Sequence, residues 1–274
     1  VAGNKIIFIV GMHRAHTSLV TSVIASAFGG FVSDPKHRLH PSSQNRPGFF
    51  ESKRVFRLNE QIFNDAGLSW RTIRSHPAVS IQHKAQIADV LGTDYSPHPV
   101  SVVKDPRLCL MIPYWYSEAC KIYSPDRIFT LLVVRHPIQV AHSLGCAHSV
   151  SFNEAIEIWQ AYYAAALHFL KRFDPLAARE RRRFWAAIDT SRFDKDHYKA
   201  IIKRVRTSLG LPMVGKHPLR RYRPEEKHFT SSQLDEGEVQ PTADLERALV
   251  LYGKLSEAAK RHTDSFCAST ILGA

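Results

Sequence analysis

Residues 6–20 constrain this chain more than any other stretch. An apolar run from Ile6 to Val10 ends at Gly11, a short polar loop follows, and Thr17 and Ser18 then open an apolar helical pattern. That order reads as buried strand, loop and helix N-terminus. Such a junction aims successive backbone N–H groups and the positive end of a helix dipole at one point, which suits a phosphate or sulfate group. Nucleotide-hydrolysing loops of the pattern Gly-x-x-x-x-Gly-Lys-Ser/Thr carry a second Gly and a Lys just before the hydroxyl residue. This chain has His16 and Thr17 at those places and offers Arg14 as its loop cation. A P-loop kinase or NTPase reading is disfavoured on that ground.

Charge points the same way. Lys and Arg number 37 against 25 Asp and Glu, a net charge of +12, and this balance favours anionic ligands without specifying a fold. With 274 residues, 44% of them hydrophobic, the chain can bury a sizeable core as one large α/β domain or two small ones. The four cysteines (Cys109, Cys120, Cys146, Cys267) have neither metal nor disulfide spacing. Cys109 and Cys120 sit in apolar sequence and read as reduced core residues, which suits a reducing, cytoplasmic setting. No run approaches the roughly 18 apolar residues of a membrane span, and no N-terminal signal is visible.

Periodicity predicts strands at 5–10, 100–103, 128–134 and 183–188. It predicts helices at 18–28, 52–66, 80–91, from Pro137 onward, from Ser151 or Asn153 to about 173, 195–209 and 243–262. Pro137 stands at a favoured first-turn position. Residues 33–50 form a long loop rich in Pro, Ser, Asn and His, and residues 210–241 are polar and Pro-rich, with a basic stretch from Lys216 to Phe229. Strands alternating with helices predict a mostly parallel central sheet covered on both faces, within a single domain over 1–274. Ligands of such sheets bind at the carboxyl ends of strands. Three predicted strands end in polar clusters: Gly11 to Ser18, Lys104 to Arg107, and Arg135 onward. Three clusters on one edge predict a single anion-binding cleft.

These clusters carry a family resemblance. Gly11-Met12-His13-Arg14-Ala15-His16-Thr17-Ser18 resembles the 5′-phosphosulfate loop of sulfotransferases that use 3′-phosphoadenosine 5′-phosphosulfate (PAPS), in the bacterial-type branch where the loop usually reads Gly-Met-His-Arg-Ser-Gly-Thr-Ser. Asn45-Arg46-Pro47-Gly48-Phe49-Phe50-Glu51 resembles that branch's Asn-x-x-Gly-(Phe/Tyr)-(Phe/Trp)-Glu motif, and Lys104-Asp105-Pro106-Arg107 matches its Lys-Asp-Pro-Arg motif. Val133-Val134-Arg135-His136-Pro137 followed by Ser143 is similar to the 3′-phosphate-binding motif. The likeness covers residues 5–170 and leaves 171–274 without a motif.

The resemblance implies a P-loop-like three-layer α/β/α fold and transfer of a sulfuryl group from PAPS to an acceptor hydroxyl, with 3′,5′-adenosine bisphosphate as product. It implies that Arg14, Ala15, His16, Thr17 and Ser18 hold the 5′ end and that Arg135 and Ser143 hold the 3′-phosphate. Arg14 suits phosphate oxygens through its planar fork. The reaction needs a base for the acceptor proton and a cation on the departing phosphate, and the resemblance implies Arg14 for the catalytic cation. Glu51, behind two aromatics, is the first candidate base, and it can equally support the dipole of the helix that follows. Asp105 is the second, against a role in an ion pair with Lys104 or Arg107 that shapes the strand-end turn. His13 is the third.

Ala15 and His16 replace the branch's usual Ser-Gly. A glycine there supplies either a positive φ or room for an anion. His16 therefore motivates an alternative, a catalytically impaired relative that binds nucleotide or anionic glycan. His13 and His16 have His-x-x-His spacing, but no further ligand set accompanies them, and no metal is expected. The acceptor (sugar, phenol, lipid headgroup or glycan) is expected among residues 33–50, 67–80 and 210–230. Nucleic acid is not expected as a partner, since only net charge and runs such as Arg179 to Arg183 speak for it.

Overall fold

The computed structural model describes residues 3–40, 48–72, 76–180, 184–191, 195–214 and 242–271. Four strands, β1 (Lys5–Val10), β2 (Val100–Lys104), β3 (Ile128–Val134) and β4 (Trp185–Asp189), form one sheet in the order β2-β1-β3-β4. Every pairing is parallel. All seven residues of β3 are buried, as are five of six in β1, because helices cover both faces and leave no polar side to the sheet.

The period-2 alternation of β1 divides the core. Ile7 and Ile9 face one layer with α1 (Thr17–Phe28) and α7 (Lys195–Leu209). Ile6, Phe8 and Val10 face the other. That layer is built from α2 (Lys53–Asp65), α3 (Ile81–Val90), α4 (Leu108–Ala119), α5 (Pro137–His148), α6 (Phe152–Glu180) and α8 (Ala243–Ile271). The result is the expected three-layer α/β/α arrangement.

Local sequence explains most boundaries. Ser52 caps α2 by accepting from the Arg54 N–H at 3.2 Å. Pro137 occupies the first turn of α5. Ser151 accepts from the Glu154 N–H at 3.3 Å and so starts α6. α4 was not among the helices expected from periodicity. Its apolar run lacks helical periodicity and it carries Pro113 in its interior, yet packing of Trp115, Met111 and Ile112 into the core outweighs the backbone hydrogen bond that Pro113 removes. Cys109 is buried on α4 as expected, whereas Cys120 is exposed, because it falls at the helix's C-terminal cap beyond the buried face. Asn45 to Pro47, most of the 210–241 stretch and the side chain of Cys267 lie outside the described residues.

Candidate functional site

β1 has β2 on one side and β3 on the other, so the chain reverses direction across the sheet between β1 and β3. A crevice at such a switch point is where open parallel sheets bind ligands. The Gly11–His16 loop leaves β1 there. Gly11 is required by space: a Cβ would stand 2.6 Å from the Val133 carbonyl oxygen and 2.8 Å from Thr17 Cγ2. Arg14 (φ 65°) and His16 (φ 60°) both adopt the left-handed conformation. His16 thus adopts a conformation that glycine accepts freely, at a cost of about 1–2 kcal/mol.

The loop's carbonyls are drawn back into the protein. Arg135 Nη1 donates to the Arg14 carbonyl at 2.8 Å, and Thr190 Oγ1 donates to the Ala15 carbonyl at 3.2 Å. In a trans peptide the N–H lies opposite the C=O. The His16 N–H therefore points away from Thr190. Ala15 is fully buried, and Thr17 nearly so.

Arg135 is buried and also donates from Nε to Gln139 Oε1 at 3.1 Å. Burial, aided by the nearby Arg14 charge, pushes its pKa down to about 10. Arg14 reaches across the crevice and donates from Nε to Ser143 Oγ at 2.9 Å. Arg14, Arg135 and Ser143 thus converge, although the sequence had assigned them to two ends of a ligand.

A second cluster joins β2 to the Phe49–Glu51 segment. Lys104, buried at the end of β2, forms an ion pair with Glu51 and donates to the Phe49 carbonyl at 3.3 Å and Ser18 Oγ at 3.4 Å. Ser18 Oγ itself donates to the Phe49 carbonyl at 3.0 Å. Phe50 adopts φ 53°, a third left-handed non-glycine residue at this edge. Burial raises the pKa of Glu51, with the Lys104 charge opposing that shift. Glu51 precedes the cap residue Ser52 and stands outside α2, so its carboxylate serves the Lys104 pair and not the helix end.

Asp105 is fully buried and accepts from the Arg107 N–H at 2.8 Å and from Arg107 Nη1 at 3.3 Å. Arg107 also pairs with Glu60 and lies 4.8 Å over the Phe56 ring. Of the two partners weighed for Asp105, the structure selects Arg107. His13 lies against Trp70, with ring centroids 4.6 Å apart, and near Tyr162 at 6.2 Å.

Lys104, expected from the sequence only as a partner for Asp105, pairs with Glu51 instead. Its signal was a lysine ending a mostly apolar strand at the edge where Gly11 follows β1. Beside Ser52, a cleft of about 940 Å³ opens between the segment from Phe31 to His37 and the faces of α2 and α3, with Lys36, Lys53 and Arg57 among its lining residues. No described helix is long and apolar enough to cross a membrane.

Neither a family model nor a curated protein matches this sequence. Among solved structures, the fold is similar to the "Sulfotransferase Domain from the Curacin Biosynthetic Pathway", with a TM-score of 0.50 and 15% identity over 91% of this chain and 98% of that one. A second match is sulfotransferase STF1 from Mycobacterium tuberculosis H37Rv, with a TM-score of 0.31 and 13% identity over 96% of this chain and 77% of that one. The first likeness establishes a sulfotransferase-like fold.

Proposed function

We propose that this protein is a PAPS-dependent sulfotransferase that transfers a sulfuryl group to an acceptor hydroxyl by in-line displacement, with 3′,5′-adenosine bisphosphate as the other product. The observation that carries the reading is the convergence at one sheet edge of Arg14, Lys104 and Arg135 with a loop whose carbonyls are turned inward. Such a donor set fits an extended anion held by loop N–H groups and cations. PAPS bound there supplies an activated sulfuryl group on a phosphate leaving group.

The remaining work falls to this chain's side chains. Lys104, buried and hydrogen-bonded to Ser18, holds positive charge where negative charge builds on departure. Glu51, its carboxylate made more basic by burial, takes the acceptor's hydroxyl proton. Asp105 fixes Arg107 and the turn after β2. The Arg14, Ala15, His16, Thr17 and Ser18 segment takes the 5′ end, and Arg135 with Ser143 takes the 3′-phosphate, Arg14 lying between the two. The cleft beside Ser52 offers part of the acceptor's path, and free thiols at Cys109, Cys120 and Cys146 accord with a reducing, cytoplasmic setting.

A binder without turnover is the second reading, favoured by the tie between Glu51 and Lys104, which occupies both the base and the cation. Thermal unfolding with added nucleotide tests the first reading. Adenosine 3′,5′-bisphosphate at 100 times its Kd should stabilise the protein by about 2.7 kcal/mol, and ATP, lacking the 3′-phosphate, by less. Equal stabilisation by the two would overturn the assignment. Bisphosphate binding with no sulfation of any acceptor in a labelled-PAPS screen would favour the binder.

A further inference from the structure

The His13 ring presents an unusual polar atom. Its Nε2 is shut off from solvent and has no hydrogen-bond partner among the described residues. Burying a polar group in that way costs about 1–3 kcal/mol, and native structures seldom accept the loss without a use for the group. The ring cannot easily swing away to find water. Trp70 packs on it at 4.6 Å and Tyr162 at 6.2 Å, while Trp70 is itself held in place, its carbonyl accepting from Tyr162 Oη at 3.3 Å and its ring lying under the Arg71 guanidinium at 4.9 Å.

The charged groups facing His13 come from every element around it. Arg107 stands at the start of α4, Lys104 at the end of β2, His148 at the end of α5, and Arg14 on the same loop. Tyr162 from α6 completes the surroundings as a neutral phenol. Burial comes first, and the Arg107, Lys104 and Arg14 cations with His148 add to it in holding the imidazole neutral, while the carboxylates of this region are engaged by two of those cations, Glu51 by Lys104 and Asp105 and Glu60 by Arg107.

An oxyanion at the Gly11–Ser18 loop changes both conditions at once. It brings negative charge among Lys104, Arg14 and Arg107, and it brings acceptor oxygens to a ring nitrogen that lacks a partner. We propose that His13 completes the anion site by taking a proton from solvent when a phosphate- or sulfate-bearing ligand binds, its Nε2–H then donating to a ligand oxygen. One N–H bond forms as one O–H bond of the donating solvent species breaks, and no bond of the ligand changes. The site thereby binds its anion together with a proton, and affinity strengthens as pH falls below the pKa of the bound imidazole and levels off below that of the free one. This inference rests on the sulfotransferase reading for its ligand and not for its chemistry.

The test uses NMR of the histidine ring carbons, with the His13 signal assigned by its loss in His13→Phe. In the free protein that signal should stay in the neutral position between about pH 6 and 8. With saturating adenosine 3′,5′-bisphosphate it should move to the imidazolium position within the same range. Calorimetry in buffers of different ionisation enthalpy should show proton uptake that His13→Phe loses. His168→Gln, at an exposed histidine of α6, provides the control, since it should leave the His13-linked uptake in place. Should His13→Phe fail to fold, His13→Gln provides the comparison. Bisphosphate that binds while His13 stays neutral overturns this inference and leaves the sulfotransferase reading standing. If the bisphosphate does not bind, the sulfotransferase reading fails and inorganic sulfate becomes the probe; a His13 signal indifferent to sulfate overturns the inference as well.

Discussion

Lys104 and Glu51 meet as a buried ion pair although 53 positions separate them. Lys104 closes a strand and Glu51 precedes a helix cap, so the pair fastens the sheet edge to the long loop in front of it. Removing one member of a buried pair strands the other charge and costs about 3–5 kcal/mol.

Glu51→Gln keeps the shape and a hydrogen-bond acceptor for Lys104 but removes the basicity. Turnover should drop by about 10²–10⁴. Bisphosphate affinity should hold or rise, because Lys104 no longer shares its charge with a carboxylate. Steady-state rates combined with calorimetry check both. Wild-type turnover in the variant would shift the role of base to Asp105 or His13.

Arg135→Ala should weaken adenosine 3′,5′-bisphosphate by about 2–4 kcal/mol through loss of a charge-assisted contact. The Arg14 carbonyl loses its donor in the same step, so the loop should also become easier to cleave by protease. An unchanged Kd by calorimetry would remove Arg135 from the ligand.

His16 tests the loop's conformation directly. Its φ of 60° suits glycine, and a β-branched residue there is strained. His16→Gly should leave folding stability within about 1 kcal/mol of the original, relief of strain being offset by a more flexible unfolded chain. His16→Val should lower it by about 1–2 kcal/mol. Urea unfolding distinguishes the two, and equal stabilities would mean that the loop does not hold this conformation in solution.

Acid should weaken the fold through His13. The folded protein keeps this imidazole neutral, whereas the unfolded chain protonates it near its ordinary pKa of about 6.5. As pH falls below that value the unfolded state gains a proton that the folded state refuses, so stability declines toward acid and is recovered above it. The limiting slope is about 1.4 kcal/mol per pH unit for one such group. His148 shifts in the same direction and adds to the wild-type slope. The slope in chemical denaturation between about pH 6.5 and 5 should be shallower in His13→Phe than in the wild type.

Elements with strong local signals were legible in the sequence. β1 and β3 are almost wholly apolar, interrupted only by Lys5 at the start of one and Thr130 within the other, and α5 begins at its proline, so the strand ends that carry the site could be placed. α4 was invisible because a helix buried on most sides loses its periodicity and Pro113 argues against it locally. Strand order was also hidden, since nothing within β2 or β3 states which side of β1 each will join. The candidate residues were legible singly, but their partners were not. Arg14 meets Ser143 and Lys104 meets Glu51 across long separations, and such choices are made by packing after the sheet forms.

Arg14 is held twice, by its carbonyl through Arg135 and by its side chain through Ser143. The loop that would wrap an anion is therefore folded before any anion arrives. An arriving nucleotide has little chain to organise, so its capture should proceed at a rate set mainly by encounter. Differences among related nucleotides should then appear in residence time, with the better ligand leaving more slowly and not arriving sooner.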